Sequence, residues 1–128
     1  MQRVLLDTHA FVWWSEDRDL LSAEARQTIS DPEISVLVSA ASAWELAIKA
    51  RLGKFKSAQF VAAFPSELQR QHFEELRISV EHALKAGGLQ IPHKDPFDRM
   101  LAAQAQVENV AVISKDKVFD RCLVSRIW

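Results

Sequence analysis

One cysteine, three glycines and no surplus of either charge stand out among the 128 residues, and each scarcity removes a class of function. With Cys122 as the sole thiol, an internal disulfide and a cysteine-built zinc cage are both excluded, and a reducing compartment fits. Sixteen Lys and Arg stand against seventeen Asp and Glu, giving a net charge of -1 and a pI near 6.4. Such a chain does not hold nucleic acid by bulk positive charge, so any contact of that kind must come from a local patch. Long apolar runs are also missing. The stretch from Val4 to Trp14 is broken by Asp7 and His9, and nowhere do the roughly 18 apolar residues of a membrane span follow one another. No export signal is visible, and the expectation is a soluble, cytoplasmic protein without membrane contact. There is no phosphate-cradling Walker loop, no dinucleotide fingerprint, no repeat and no low-complexity linker; Gly87-Gly88 reads as a turn. What is present is 48% hydrophobic content, enough for one domain over residues 1–128 with a real core and too little for two.

The apolar pattern alternates between strand and helix. Val4-Leu5-Leu6 ends in Asp7, and residues 8–16 read as a helix offering Phe11, Val12 and Trp14 for burial. A second helix begins after Ser22 and breaks at Asp31-Pro32. Residues 34–39 are nearly all apolar and rich in β-branched side chains, as in a strand covered on both faces. A helix follows from about Ala41 and ends at Gly53. Residues 57–88 read as helix, short strand, helix, with Pro65 splitting the first of these. Asp95-Pro96 then opens a strongly helical run whose stripe is Met100, Leu101, Ala103 and Val107. Residues 109–114 form another buried strand, 116–120 a loop or short helix, and 123–127 a last strand. Such alternation predicts an α/β chain with a parallel sheet, helices on both faces and right-handed crossovers.

Asp7, Glu45, Asp98 and Asp116 each fall at the end of such a strand or on the first turns of the next helix. In an alternating fold these positions share one edge of the sheet, where ligands bind. Each also has a capping explanation. Asp7 and Asp95 suit N-caps, Asp98 suits the helix dipole, and Glu45 has capping-box spacing from Ser42 and ion-pair spacing to Lys49. Capping does not explain why carboxylates recur on the same edge. Two of them about 4 Å apart repel by about 4 kcal/mol at an effective dielectric near 20. A hard divalent cation such as Mg²⁺ or Mn²⁺ reverses that sign, and a metal-bound water is a nucleophile suited to phosphodiester hydrolysis. His93 with Asp95 gives only a lone His-x-Asp, and His9, His72 and His82 have no partner at zinc spacing.

Four segments carry a resemblance: Leu5-Leu-Asp7-Thr-His-Ala-Phe-Val-Trp-Trp14, Ser39-Ala-Ala-Ser-Ala-Trp-Glu45-Leu-Ala-Ile-Lys49, His93-Lys-Asp95-Pro-Phe-Asp98-Arg, and Val112-Ile-Ser-Lys-Asp116. In order and spacing the chain resembles PIN-domain ribonucleases, in particular the VapC-type toxins of type II toxin-antitoxin systems. The resemblance implies a three-layer α/β/α domain with a central parallel sheet and a Mg²⁺- or Mn²⁺-dependent endoribonuclease site. It further implies Asp7 and Asp98 as principal metal ligands, with Glu45 and Asp116 completing the pocket directly or through water. Thr8 and Ser114 would be hydroxyls near the metal or the scissile phosphate, and Asp95 either a ligand or a cap. Ser114 stands where the family commonly has threonine and keeps the hydroxyl. A cognate antitoxin and a homodimer are the partners implied, beside the RNA substrate. Lys49, Arg51, Lys54 and Lys56 follow Glu45 and are candidates for phosphate contact, or a solvated basic face. Phe11, Trp13 and Trp14 are candidates for a partner groove, or for core. Two alternatives stand beside the toxin: a PIN nuclease outside toxin systems, in RNA processing or on DNA, and a regulatory module whose main activity is binding within an antitoxin-DNA complex.

Overall fold

Unbroken apolar triplets such as Val4-Leu5-Leu6 and Val36-Leu37-Val38 need partners above and below, because successive strand residues point to opposite faces. The computed structural model, which describes residues 2–128, supplies both. Its sheet is five-stranded and all parallel, in the order β3-β2-β1-β4-β5. The strands are β1 (Gln2–Leu6), β2 (Ile34–Ser39), β3 (Glu74–Leu76), β4 (Ala111–Ile113) and β5 (Arg126–Ile127). Leu5 lies between Leu37 and Val112, and Leu6 between Val38 and Ile113. Even-numbered Val4, Leu6, Val36 and Val38 join one buried cluster, and odd-numbered Leu5 and Leu37 join the other.

Helices cover each face. The first cluster is closed by α1 (Thr8–Glu16), α2 (Ala23–Ser30), α3 (Ala40–Arg51), α4 (Ala58–Ala62) and α5 (Phe64–Arg70), which contribute Phe11, Ala25, Leu46, Phe60 and Phe64. The second is closed by α7 (Pro96–Glu108) through Leu101, Ala102 and Ala105, with α6 (Val80–Gly88) packed outside it. The chain thus winds outward from β1 to β3, returns to β4 on the far side of β1 and continues to β5. That reversal is a topological switch point, flanked by the carboxyl ends of β1 and β4.

The expected α/β architecture holds, with local corrections. Residue Ser39, not Ser42, caps α3, accepting from the Ala41 amide at 3.0 Å; Ser42 is instead buried beside Thr8. Gly53, two residues past α3, is the glycine with positive φ (+74°), a backbone angle that other side chains resist. Gly87 and Gly88 belong to α6 and form no turn. The last strand is two residues long, because Leu123 turns left-handed (φ 55°) and faces solvent. His82 serves as a cap: it is buried, closes a capping box with Ser79, and meets Glu108 at 2.9 Å. The aromatic trio is mostly core. Phe11 is fully buried, Trp14 nearly so with its indole N–H on Gln71, and Trp13 alone remains half-exposed between His9 and Trp128.

Gln104 ties the two halves together from within. Its fully buried amide accepts from Ser39 Oγ at 2.6 Å and donates to the Arg77 carbonyl at 3.3 Å. Gln104→Leu takes the acceptor from the buried Ser39 hydroxyl and should cost about 1–3 kcal/mol, read from urea unfolding midpoints at constant slope.

Candidate active site

Asp7 leaves β1 at the centre of the sheet. Its amide donates to the Ile113 carbonyl at 3.1 Å, which continues the β1–β4 ladder by one bond and fixes the residue at the switch point. Its side chain caps α1, Oδ1 accepting from the Ala10 amide at 2.8 Å, while Oδ2 accepts a short hydrogen bond from Ser114 Oγ. With 6% of its surface exposed, Asp7 is costly to ionise. Burial raises its pKa from 3.8 to about 6, against the lowering pull of the Ser114 and Ala10 hydrogen bonds; Asp98 adds a further upward push.

Two groups extend from this centre along the sheet edge. On the α3 side, Thr8 Oγ1 donates to Glu45 Oε1 at 2.6 Å, and Lys49 Nζ donates to Glu45 Oε2 at 2.6 Å. Glu45 is buried, so Lys49 is its counter-ion from one helical turn on, as the i,i+4 spacing allowed. Arg51, in the last turn of α3, and Lys54 and Lys56, past its end, are exposed beyond it. On the α7 side, Asp95 is the N-cap, accepting from the Phe97 and Asp98 amides at 2.9 and 3.1 Å. Asp98, three residues in, is half-buried, and its pKa is raised by burial and by the nearby charges of Asp95 and Asp116, against the lowering hydrogen bond of His93. Asp116 is exposed and caps the 3₁₀ turn at Lys117–Arg121 through Val118. Its own amide donates to Ser114 Oγ at 2.9 Å, so that one hydroxyl joins Asp7 to the Asp116 loop.

Asp7, Asp98 and Asp116 therefore share one field, while Glu45 and Thr8 form an adjoining hydrogen-bonded pair. Sequence reasoning missed Ser42, at 2.9 Å from Thr8, and His93, whose Nε2 lies 2.8 Å from Asp98 Oδ2. Pairing His93 with Asp95 overlooked the residue it meets; Pro92 and Asp95-Pro96, which bracket a short turn, were the available signal.

The donor set is carboxylate and hydroxyl oxygen, which suits a hard divalent cation. The soft Cys122 is buried in the core cluster that α7 closes, its thiol pKa raised by burial. Among the described residues no three of His, Cys, Asp or Glu stand as a ready-made metal cage. A cation here would take few direct carboxylates and keep water in the rest of its shell.

The model of the PIN domain matches residues 4–122, and the chain belongs to the PIN-domain family. It is 31% identical, over 118 residues, to Ribonuclease VapC22 of Mycobacterium tuberculosis, a match spanning 91% of this chain and 89% of the relative. The fold is similar to that of VapBC2 from Rickettsia felis bound to a DNA fragment from its promoter (TM-score 0.72, 15% identity, 98% and 97% of the two chains). It is also similar to Mycobacterium tuberculosis VapC20, a toxin that cleaves the sarcin-ricin loop (TM-score 0.66, 15% identity, 94% and 95% covered).

Proposed function

We propose that this protein is an endoribonuclease of the VapC kind, the toxin of a toxin-antitoxin pair, working with Mg²⁺ or Mn²⁺ at the Asp7–Asp98 edge. One observation carries the reading: a carboxylate held almost out of water at the switch point, with a second carboxylate's charge upon it. Uncompensated, that placement destabilises the domain; with a cation it becomes a site. Asp7 and Asp98 would hold the ion, with Glu45 and Asp116 reaching it through water. When bound, the cation supplies a water of lowered pKa and positive charge for the leaving oxygen. Ser114 fixes the orientation of the Asp7 carboxylate, Thr8 that of Glu45, and Lys49 pairs with Glu45 while offering a cation to an approaching phosphate. Arg51, Lys54 and Lys56 extend that positive edge for the RNA backbone.

Incubating the purified protein with total RNA in Mg²⁺ or Mn²⁺ tests this reading. Cleavage by the parent and none by Asp98→Asn is expected; cleavage that survives in Asp98→Asn would place the chemistry elsewhere. Expression without antitoxin should arrest growth, and Asp98→Asn should relieve the arrest. The relatives' VapBC assemblies favour a cognate antitoxin, and a cytoplasmic place follows from an RNA substrate; no helix among the described residues is long and apolar enough to cross a membrane.

A second copy of the chain has a surface available. Trp44, Ile78, Val80 and Leu84 are exposed, and Trp44 meets Phe97 edge-on at 5.2 Å over a pocket of about 220 Å³ lined also by Pro96 and Met100. Exposed apolar side chains such as these are what an isologous contact between α6 helices buries. Leu84→Glu should convert a dimer to monomer in light-scattering mass measurements, leaving the thermal unfolding of the monomer intact.

A further inference from the structure

The segment between α6 and α7 has no regular structure, yet one side chain pins it at three points and the end of α6 at a fourth. Helix α6 runs into Leu89, which is extended (φ -60°, ψ 126°), so its last carbonyls need partners from outside the helix. Arg99, on the first turn of α7, provides them. Its Nη2 donates to the Ala86 carbonyl at 3.0 Å and the Leu89 carbonyl at 2.7 Å, and its Nη1 to the His93 carbonyl at 3.0 Å and the Ile91 carbonyl at 3.4 Å. A guanidinium can span four acceptors because its donors fan out in a rigid plane, which an ammonium does not match. The last residue so held is His93, whose Nε2 lies 2.8 Å from Asp98 Oδ2. Asp98 and Arg99 are neighbours on α7, so the helix that carries the carboxylate also carries the clamp that brings the imidazole to it.

We infer that Arg99 and His93 are positioning residues for Asp98: Arg99 fixes the 89–93 loop by its carbonyls, and the loop presents the imidazole N–H that holds one Asp98 oxygen in place and leaves the other for the site. The inference rests on Asp98 being a metal-holding residue. Neither side chain has to touch RNA. Outer partners that orient a metal-holding carboxylate are typically worth about 10–100-fold in metal affinity.

The test is equilibrium binding of Mn²⁺, followed by calorimetry and by electron paramagnetic resonance, on the parent, Asp98→Asn, His93→Ala, His93→Gln, Arg99→Lys and the His93→Ala/Arg99→Lys double variant, each first shown to be folded by circular dichroism. His93→Ala is expected to weaken Mn²⁺ binding about tenfold and to lower kcat without moving KM for RNA. His93→Gln, whose amide N–H reaches a similar distance, should recover most of the loss. Arg99→Lys should weaken binding similarly, and the double variant should add little, because both substitutions release the same contact. Parental Mn²⁺ affinity in His93→Ala, or fully additive losses in the double variant, would overturn the inference, leaving Arg99 as a staple of the loop alone. Should Asp98→Asn bind Mn²⁺ as the parent does, the assignment of Asp98 fails and this one falls with it; loss in Asp98→Asn without loss in His93→Ala removes the positioning role only.

Discussion

Asp7→Asn is expected to abolish RNA cleavage to the extent of about a thousandfold while making the metal-free protein more stable at neutral pH. The two effects have one cause. The carboxylate is buried at the switch point, and burial raises its pKa from 3.8 to about 6. An acid whose pKa is higher folded than unfolded binds its proton more tightly in the folded state. Its contribution to stability is therefore full below about pH 4 and is lost as the pH rises through about 6. At pH 7 and above the ionised Asp7 costs about 2–3 kcal/mol, which asparagine does not incur. Asparagine also keeps the cap, since its side-chain oxygen can still accept from the Ala10 amide. Urea unfolding in EDTA at pH 7.5 and at pH 4 checks this. The variant should be the more stable at the higher pH, and the gap should close at the lower one; a variant less stable than the parent at both would contradict the account.

Mn²⁺ should do to the parent reversibly what asparagine does permanently. At one hundred times its dissociation constant, a ligand that binds only the folded state adds about 2.7 kcal/mol. For a domain of this size that is several degrees in Tm. The gain should vanish in Asp98→Asn and in EDTA. It should also shrink towards pH 5, where protons compete for Asp7 and Asp98, both with raised pKa values. An equal rise in Tm for parent and Asp98→Asn would show that the ion binds elsewhere.

The central strands and Asp7, the carboxylate that follows the first of them, were legible because both obey local rules. Val4-Leu5-Leu6 and Val36-Leu37-Val38 are apolar on both faces, and a carboxylate immediately after such a strand has little to do in the core. The edges were less so. β3 and β5 are three and two residues long, too short for a period, and Glu74-Glu75-Leu76 carries hardly an apolar side chain. The start of α3 misled because Ser39 and Ser42 both precede suitable amides, and only burial beside Thr8 separates their roles. His82 and Arg99 were opaque for a different reason. Each works through a partner set by tertiary placement: Glu108, twenty-six residues on, for His82, and scattered loop carbonyls for Arg99. Neither composition nor spacing encodes such contacts.

The Asp7–Ser114 hydrogen bond spans 107 positions of the chain. During synthesis β1 leaves the ribosome before the other four strands, yet one of its flanks stays open until β4 follows; Asp98 arrives shortly before β4 and Ser114 directly after it. A partly made chain thus carries Asp7 without the residues that complete its pocket. For a ribonuclease, itself made on RNA, the order of the strands acts as a timer that keeps the site unassembled until β4 is in place.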